Sequence, residues 1–110
     1  MARSERNPLP LVRVVGPSMS PTLRTGDVVL VHYGRPPRPR DLVLVRWVAR
    51  PEQLSVKRAV RRDGDGWHVE GDNPYASTDS RTLGAAEVVG VIRVRLWPRP
   101  RLLRRSAPPG

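Results

Sequence analysis

The stretch from Ser55 to Glu70, SVKRAVRRDGDGWHVE, holds two runs of strand-forming residues around a turn signal. Asp63-Gly64-Asp65-Gly66 is the kind of Asp-Gly cluster that closes a β-hairpin, since its residues tolerate the positive φ that tight turns require. The flanking residues 54–61 and 67–70 are therefore predicted strands. Upstream, residues 41–48 (DLVLVRWV) are almost continuously apolar, as in a strand buried on both faces. Further out, residues 11–15, 28–33 and 88–96 repeat the valine-rich pattern, and β-branched residues favour strands over helices. Thirteen prolines and nine glycines punctuate these runs. The prediction is an all-β domain of about six strands.

At 110 residues the chain has room for one domain. Residues 1–10 read as a flexible lead, 11–97 as the folded domain, and 98–110, with four prolines and four arginines, as a disordered tail. The absence of cysteine excludes disulfides, thiol nucleophiles and thiolate metal sites. No metal site or cofactor is expected. No run approaches the ~20 apolar residues of a membrane span, and no secretory signal opens the chain, so a cytoplasmic protein is expected. The net charge is +10, and 19 of the 20 basic residues are Arg. That bias suits a GC-rich genome. Because the arginines are scattered and stacking aromatics are few, a solvated basic surface is the expectation rather than a nucleic-acid interface. The basic tail leaves peripheral contact with an anionic membrane open.

The one lysine, Lys57, lies in the opening stretch, beside Val56 and Ala59-Val60. Arginine does not lose its proton in a protein, whereas a desolvated lysine can be neutral near pH 7. Taken alone it also fits a strand lysine whose stem is buried and whose amine reaches water. Ser18 adds to this. It sits in the loop Gly16-Pro17-Ser18-Met19-Ser20-Pro21, which cannot be regular structure, and there a hydroxyl can be presented beside its own free backbone N–H. A serine needs a base to become a nucleophile. His32 and His68 fall in or beside strands without an evident carboxylate partner, which leaves the Ser-Lys form of nucleophilic catalysis. The third element is the polar loop of residues 71–84, long for a compact domain. It reads either as a turn-rich connection or as a place where a hydroxyl orients the lysine amine while Asp79 and Arg81 pair to brace the loop.

These residues carry a resemblance. Gly16-Pro17-Ser18-Met19 with Pro21-Thr22-Leu23 resembles the serine box of the type I signal peptidases, and Gly26-Asp27-Val28-Val29-Leu30-Val31 their next strand. Val56-Lys57-Arg58-Ala59-Val60 resembles the lysine box, and Gly71-Asp72-Asn73 to Asp79-Ser80-Arg81 the final box. The boxes follow the family's order. The resemblance implies a serine endopeptidase on a small, coiled, partly closed β-sheet. Ser18 is then the nucleophile, Lys57 the general base, Ser77 the hydroxyl that orients the amine, and Asp79 with Arg81 a structural ion pair. The Ser18 N–H supplies half of the oxyanion hole. Where some members place a serine that completes it, this chain has Gly16.

Pro17 is a further departure, since the family more often has Gly or Asp there. The compact form without an anchor resembles the actinobacterial proteases that remove the leader of nickel-type superoxide dismutase, which makes that precursor the expected partner. A general signal peptidase and a non-catalytic basic module are the alternatives. The self-cleaving repressors share the Ser-Lys logic but lack the loop running from Gly-Asp-Asn to Asp-Ser-Arg.

Overall fold

The computed structural model describes residues 10–76 and 78–105. Seven strands form one antiparallel sheet: β1 (Leu11–Arg13), β2 (Val28–Tyr33), β3 (Leu42–Trp47), β4 (Arg50–Asp63), β5 (Gly66–Glu70), β6 (Ala86–Trp97) and β7 (Arg101–Leu102). Their order is β1-β2-β6-β3-β4-β5, with β7 also on β6. β5 returns to β6 through the pair Trp67↔Ala86, so that β6, β3, β4 and β5 close on themselves. The all-β, partly closed sheet is as expected.

Gly66 stands at this closure. A Cβ there would lie 2.6 Å from the Ala86 carbonyl oxygen, a distance that only a residue without a side chain can tolerate.

β3 explains how so small a domain has a core on both faces of its sheet. Its even-numbered Leu42 and Leu44 pack with Met19, Leu23, Val29 and Ile92. Its odd-numbered Val43, Val45 and Trp47 pack with Ala59, Trp67 and Val69 inside the closed part. The register pairs Val43 with Lys57 and Leu44 with Val56. Lys57 therefore projects to the same face as Val43 and Ala59. Successive antiparallel pairings from β1 through β2, β6 and β3 to β4 make β1 and β4 run in the same sense.

The start of β4, the polar connection and the C-terminal segment differ most from the sequence reading. β4 begins at Arg50 despite Pro51, because the register jumps from Arg46↔Leu54 to Trp47↔Arg50. Residues 51–53 lie in that irregularity, where the missing proline N–H costs no ladder bond. The polar connection contains one helical turn, α1 (Ser80–Leu83), capped by the Asp79 carboxylate, which accepts from Arg81 N at 3.1 Å. Residues 98–105, read from the sequence as part of the tail, are held against the sheet, and 106–110 lie outside the described residues. β7 pairs Val94↔Leu102, and Leu103 supplies the apolar surface buried in the first core cluster while Leu102 stays exposed. At the other end, the Pro10 carbonyl accepts from Val31 N at 2.6 Å.

Candidate active site

The loop after β1 is held at both ends. Val14 N donates to Asp27 O and Gly26 N to Val14 O, each at 2.8 Å, and Leu23 N donates to Met19 O at 2.9 Å in a single helical turn. Met19 and Leu23, both essentially inaccessible to solvent, anchor that turn in the core. Gly16 has φ +86°, the left-handed region that glycine adopts without strain, and it bends the chain into the loop. Between Gly16 and the buried Met19, Ser18 is left half-buried with its side chain toward β4.

Lys57, 5% exposed, reaches Ser18 from β4, with its Nζ 2.9 Å from Ser18 Oγ. The contact works in either protonation state: an ammonium donates to the hydroxyl, and a neutral amine accepts the hydroxyl's hydrogen. Burial lowers the lysine pKa below its usual value of 10.5, and the Asp79 carboxylate opposes that shift. Asp79 is itself occupied. Its 1%-exposed side chain accepts from Arg81 Nε at 3.0 Å, Arg81 Nη2 at 2.7 Å and Gly71 N at 2.9 Å. The same pairing raises the Arg81 pKa. Countering the carboxylate's charge in this way weakens its hold on the lysine proton.

The expected residues thus separate into three groups. Ser18 and Lys57 are brought into contact, and Asp79 and Arg81 form an ion pair beside them. Ser77 lies outside the described residues. Gly16 contributes no side chain, while the Ser18 N–H meets no acceptor among the described residues. One reading needs correction, because His68 does have a carboxylate partner. Its Nε2 lies 2.7 Å from Glu70 Oε2, two residues along β5 on the same face. Neither residue lines the cleft around Ser18.

Four residues quoted within the boxes, Thr22, Arg58, Asp72 and Asn73, were given no role of their own from the sequence. Asp72 accepts from Arg58 Nε at 3.1 Å, Arg58 Nη2 at 2.6 Å and the Thr22 hydroxyl at 2.5 Å. It therefore ties the strand that carries Lys57 to the loop that carries Ser18. Asn73 completes the tie, its N donating to Ser18 O at 2.8 Å and its Nδ2 to Pro17 O at 3.1 Å. The available signal was Arg58, an arginine between Lys57 and Ala59 in the buried middle of β4, which needs a carboxylate there.

Ser18 and Lys57 open on a cleft of about 360 Å³ between β1 and β4, lined by Val12, Val14, Leu44, Trp47 and Val56 among others. Among the described residues no helix is long and apolar enough to cross a membrane, and no cluster of His, Cys, Asp or Glu could hold a metal ion.

The model of one protein family, described as Peptidase S24-like, matches residues 1–93. The chain belongs to that family. It is also 32% identical, over 86% of its length and 74% of the relative's, to a protein of Arabidopsis thaliana named mitochondrial ATP-independent inner membrane protease subunit 1a. Family and relative together identify the chain as a peptidase of the signal peptidase type, as the order of its boxes implied.

Proposed function

We propose that the chain is a serine endopeptidase in which Ser18 is the nucleophile and Lys57 the general base, and that it removes an N-terminal leader from a precursor protein. The observation that carries this reading is the 2.9 Å contact between Ser18 Oγ and a lysine amine that burial inclines toward its neutral form. The neutral amine takes the hydroxyl proton as the oxygen attacks the scissile carbonyl. The resulting ammonium returns that proton to the departing amine, which leaves an ester on Ser18. Lys57 then deprotonates a water that attacks the ester, and the acid product and Ser18 are released. The Ser18 N–H is one donor to the oxyanion, and the second is a backbone N–H, since Gly16 brings no hydroxyl. Ser77 would hold the amine in place.

The precursor we favour is that of a nickel-type superoxide dismutase, met in the cytoplasm. The support for it is the small sheet and the arginine-rich composition. Incubating purified protein with that precursor and reading the product by mass spectrometry tests the proposal. A single cut freeing the leader, absent with Ser18→Ala, is expected. An intact precursor alongside cleavage of a secretory preprotein in membranes favours a general signal peptidase. No difference between wild type and Ser18→Ala toward a serine-directed acylating probe removes Ser18 from the chemistry.

A further inference from the structure

One face of β1, β2, β6 and β7 is left uncovered. On β2, Val29 and Val31 are buried in the first core cluster, while Leu30 between them is 37% exposed. The register carries Leu30 across the sheet. Leu11 stands opposite it on β1 and Val94 on β6, and Val94 in turn pairs with Leu102 on β7. Residues directly opposite in an antiparallel pair share a face, so these four apolar side chains form one row across four strands. Val28, two residues before Leu30 and hence on the same face, pairs with Trp97. Leu11, Trp97 and Leu102 are 50%, 59% and 69% exposed.

The charge bordering this row is of one sign. Arg93 is the extra residue of a bulge, since Leu30 pairs with Val94 and Val31 with Ile92, which leaves Arg93 opposite neither. It lines one cavity with Leu102 and Arg104 and a second with Arg35 and Arg38. The one carboxylate in either lining, Asp41, is buried and already accepts from Arg105 Nε at 2.9 Å and Arg38 N at 2.8 Å. Arg93 and Arg104 are exposed, and among the described residues no carboxylate pairs with either. Arg13, opposite Val28 and also exposed, stands at the β1 border of the same face.

We propose that this face docks the protein on an anionic lipid bilayer, with Leu11, Leu30, Trp97 and Leu102 in the interface and Arg13, Arg93 and Arg104 against the acidic headgroups. An exposed apolar patch bordered by charged residues marks an interaction site, and a bilayer surface matches both of its parts. The acyl boundary takes the leucines, the headgroup region suits a tryptophan, and acidic lipids attract the arginines. A nucleic acid would satisfy the arginines but leave the leucine row in water. A second copy, also of net charge +10, would bring arginines against arginines. The proposal does not depend on the endopeptidase reading.

The test is cosedimentation of the full chain with vesicles of mixed phosphatidylglycerol and phosphatidylcholine, against phosphatidylcholine alone. Binding to the mixed vesicles that weakens as salt is raised is expected, with little binding to the neutral ones. Trp47 and Trp67 are 1% and 7% exposed, so Trp97 reports on this face, and its emission should shift to the blue on the vesicles. An arginine near an anionic surface is worth about fivefold in affinity, so Arg93→Glu, Arg104→Glu should weaken binding by at least about 25-fold. The control Arg50→Glu, Arg62→Glu changes the net charge equally at the level of Ala86, eight residues along β6 from Val94, and should lose far less. Leu102→Ser, at an exposed position, should weaken vesicle binding while urea stability holds. No sedimentation with the mixed vesicles at low salt, an unshifted Trp97 emission on them, or equal losses in the two charge-reversed variants overturns the proposal. So does tighter binding of an oligonucleotide that Leu102→Ser leaves unchanged, which would make the face a nucleic-acid site.

Discussion

Replacing Asp72 by leucine should be among the more damaging changes next to the site, although no chemistry passes through it. The Arg58 and Asp72 side chains are 10% and 20% exposed, and the carboxylate accepts two guanidinium bonds and the Thr22 hydroxyl. Removing one partner of a buried ion pair costs about 3–5 kcal/mol, because a desolvated charge is left behind. Here the guanidinium keeps its 3.0 Å bond to the Arg40 carbonyl and some access to water, so about 2–4 kcal/mol is expected. In the Arg58→Met, Asp72→Leu double variant both charges are gone, and the loss should fall below that of Asp72→Leu alone. Urea unfolding at constant m-value measures all of these. A loss under about 0.5 kcal/mol for Asp72→Leu, or a double variant as unstable as the sum of the two single changes, would refute the argument that this pair is buried and coupled. Turnover should also fall in Asp72→Leu, because the loop presenting Ser18 loses its tie to β4 through Thr22.

Lys57→Met removes the base without burying a charge. Turnover should drop by at least ~10²-fold while urea stability at neutral pH holds or rises, and wild-type turnover in the folded variant would exclude the lysine as base. Activity should fall as pH is lowered through the folded pKa of Lys57, which burial places below 10.5, because the protonated amine cannot accept from Ser18. Arg81→Met leaves the Asp79 carboxylate without its side-chain counter-charge, so the lysine holds its proton more tightly. The acid limb of the pH–rate profile should then move to higher pH, and an unmoved limb would show that Asp79 does not act on Lys57. Gly66→Val should destabilise the domain by several kcal/mol in thermal or urea melts, since its Cβ would press on the Ala86 carbonyl at 2.6 Å where the sheet closes. A melt like that of wild type would show that the closure can open without cost.

Much of this molecule could be read from residue order, because strands are encoded locally. The apolar run 42–47, buried on both faces, and the Asp-Gly turn between β4 and β5 are properties of short segments, and they survive in the fold. The pairing of Ser18 with Lys57 was legible for a different reason: a lone lysine among arginines and a serine in a proline-bounded loop are each odd on their own terms. Other features depend on segments far apart in the chain. That Asp72 joins Thr22, fifty residues away, to Arg58 follows from where β4 and the serine loop are brought together, and no local pattern states it. The shared direction of β1 and β4 comes from counting antiparallel steps across the sheet. The docking of Leu103 likewise required a core with space for it, and residue order gave only a proline-rich segment with two leucines. Local propensity decides what each segment can become. Long-range packing decides which side chains share a site, because only there do burial and the pairing of charges select one arrangement.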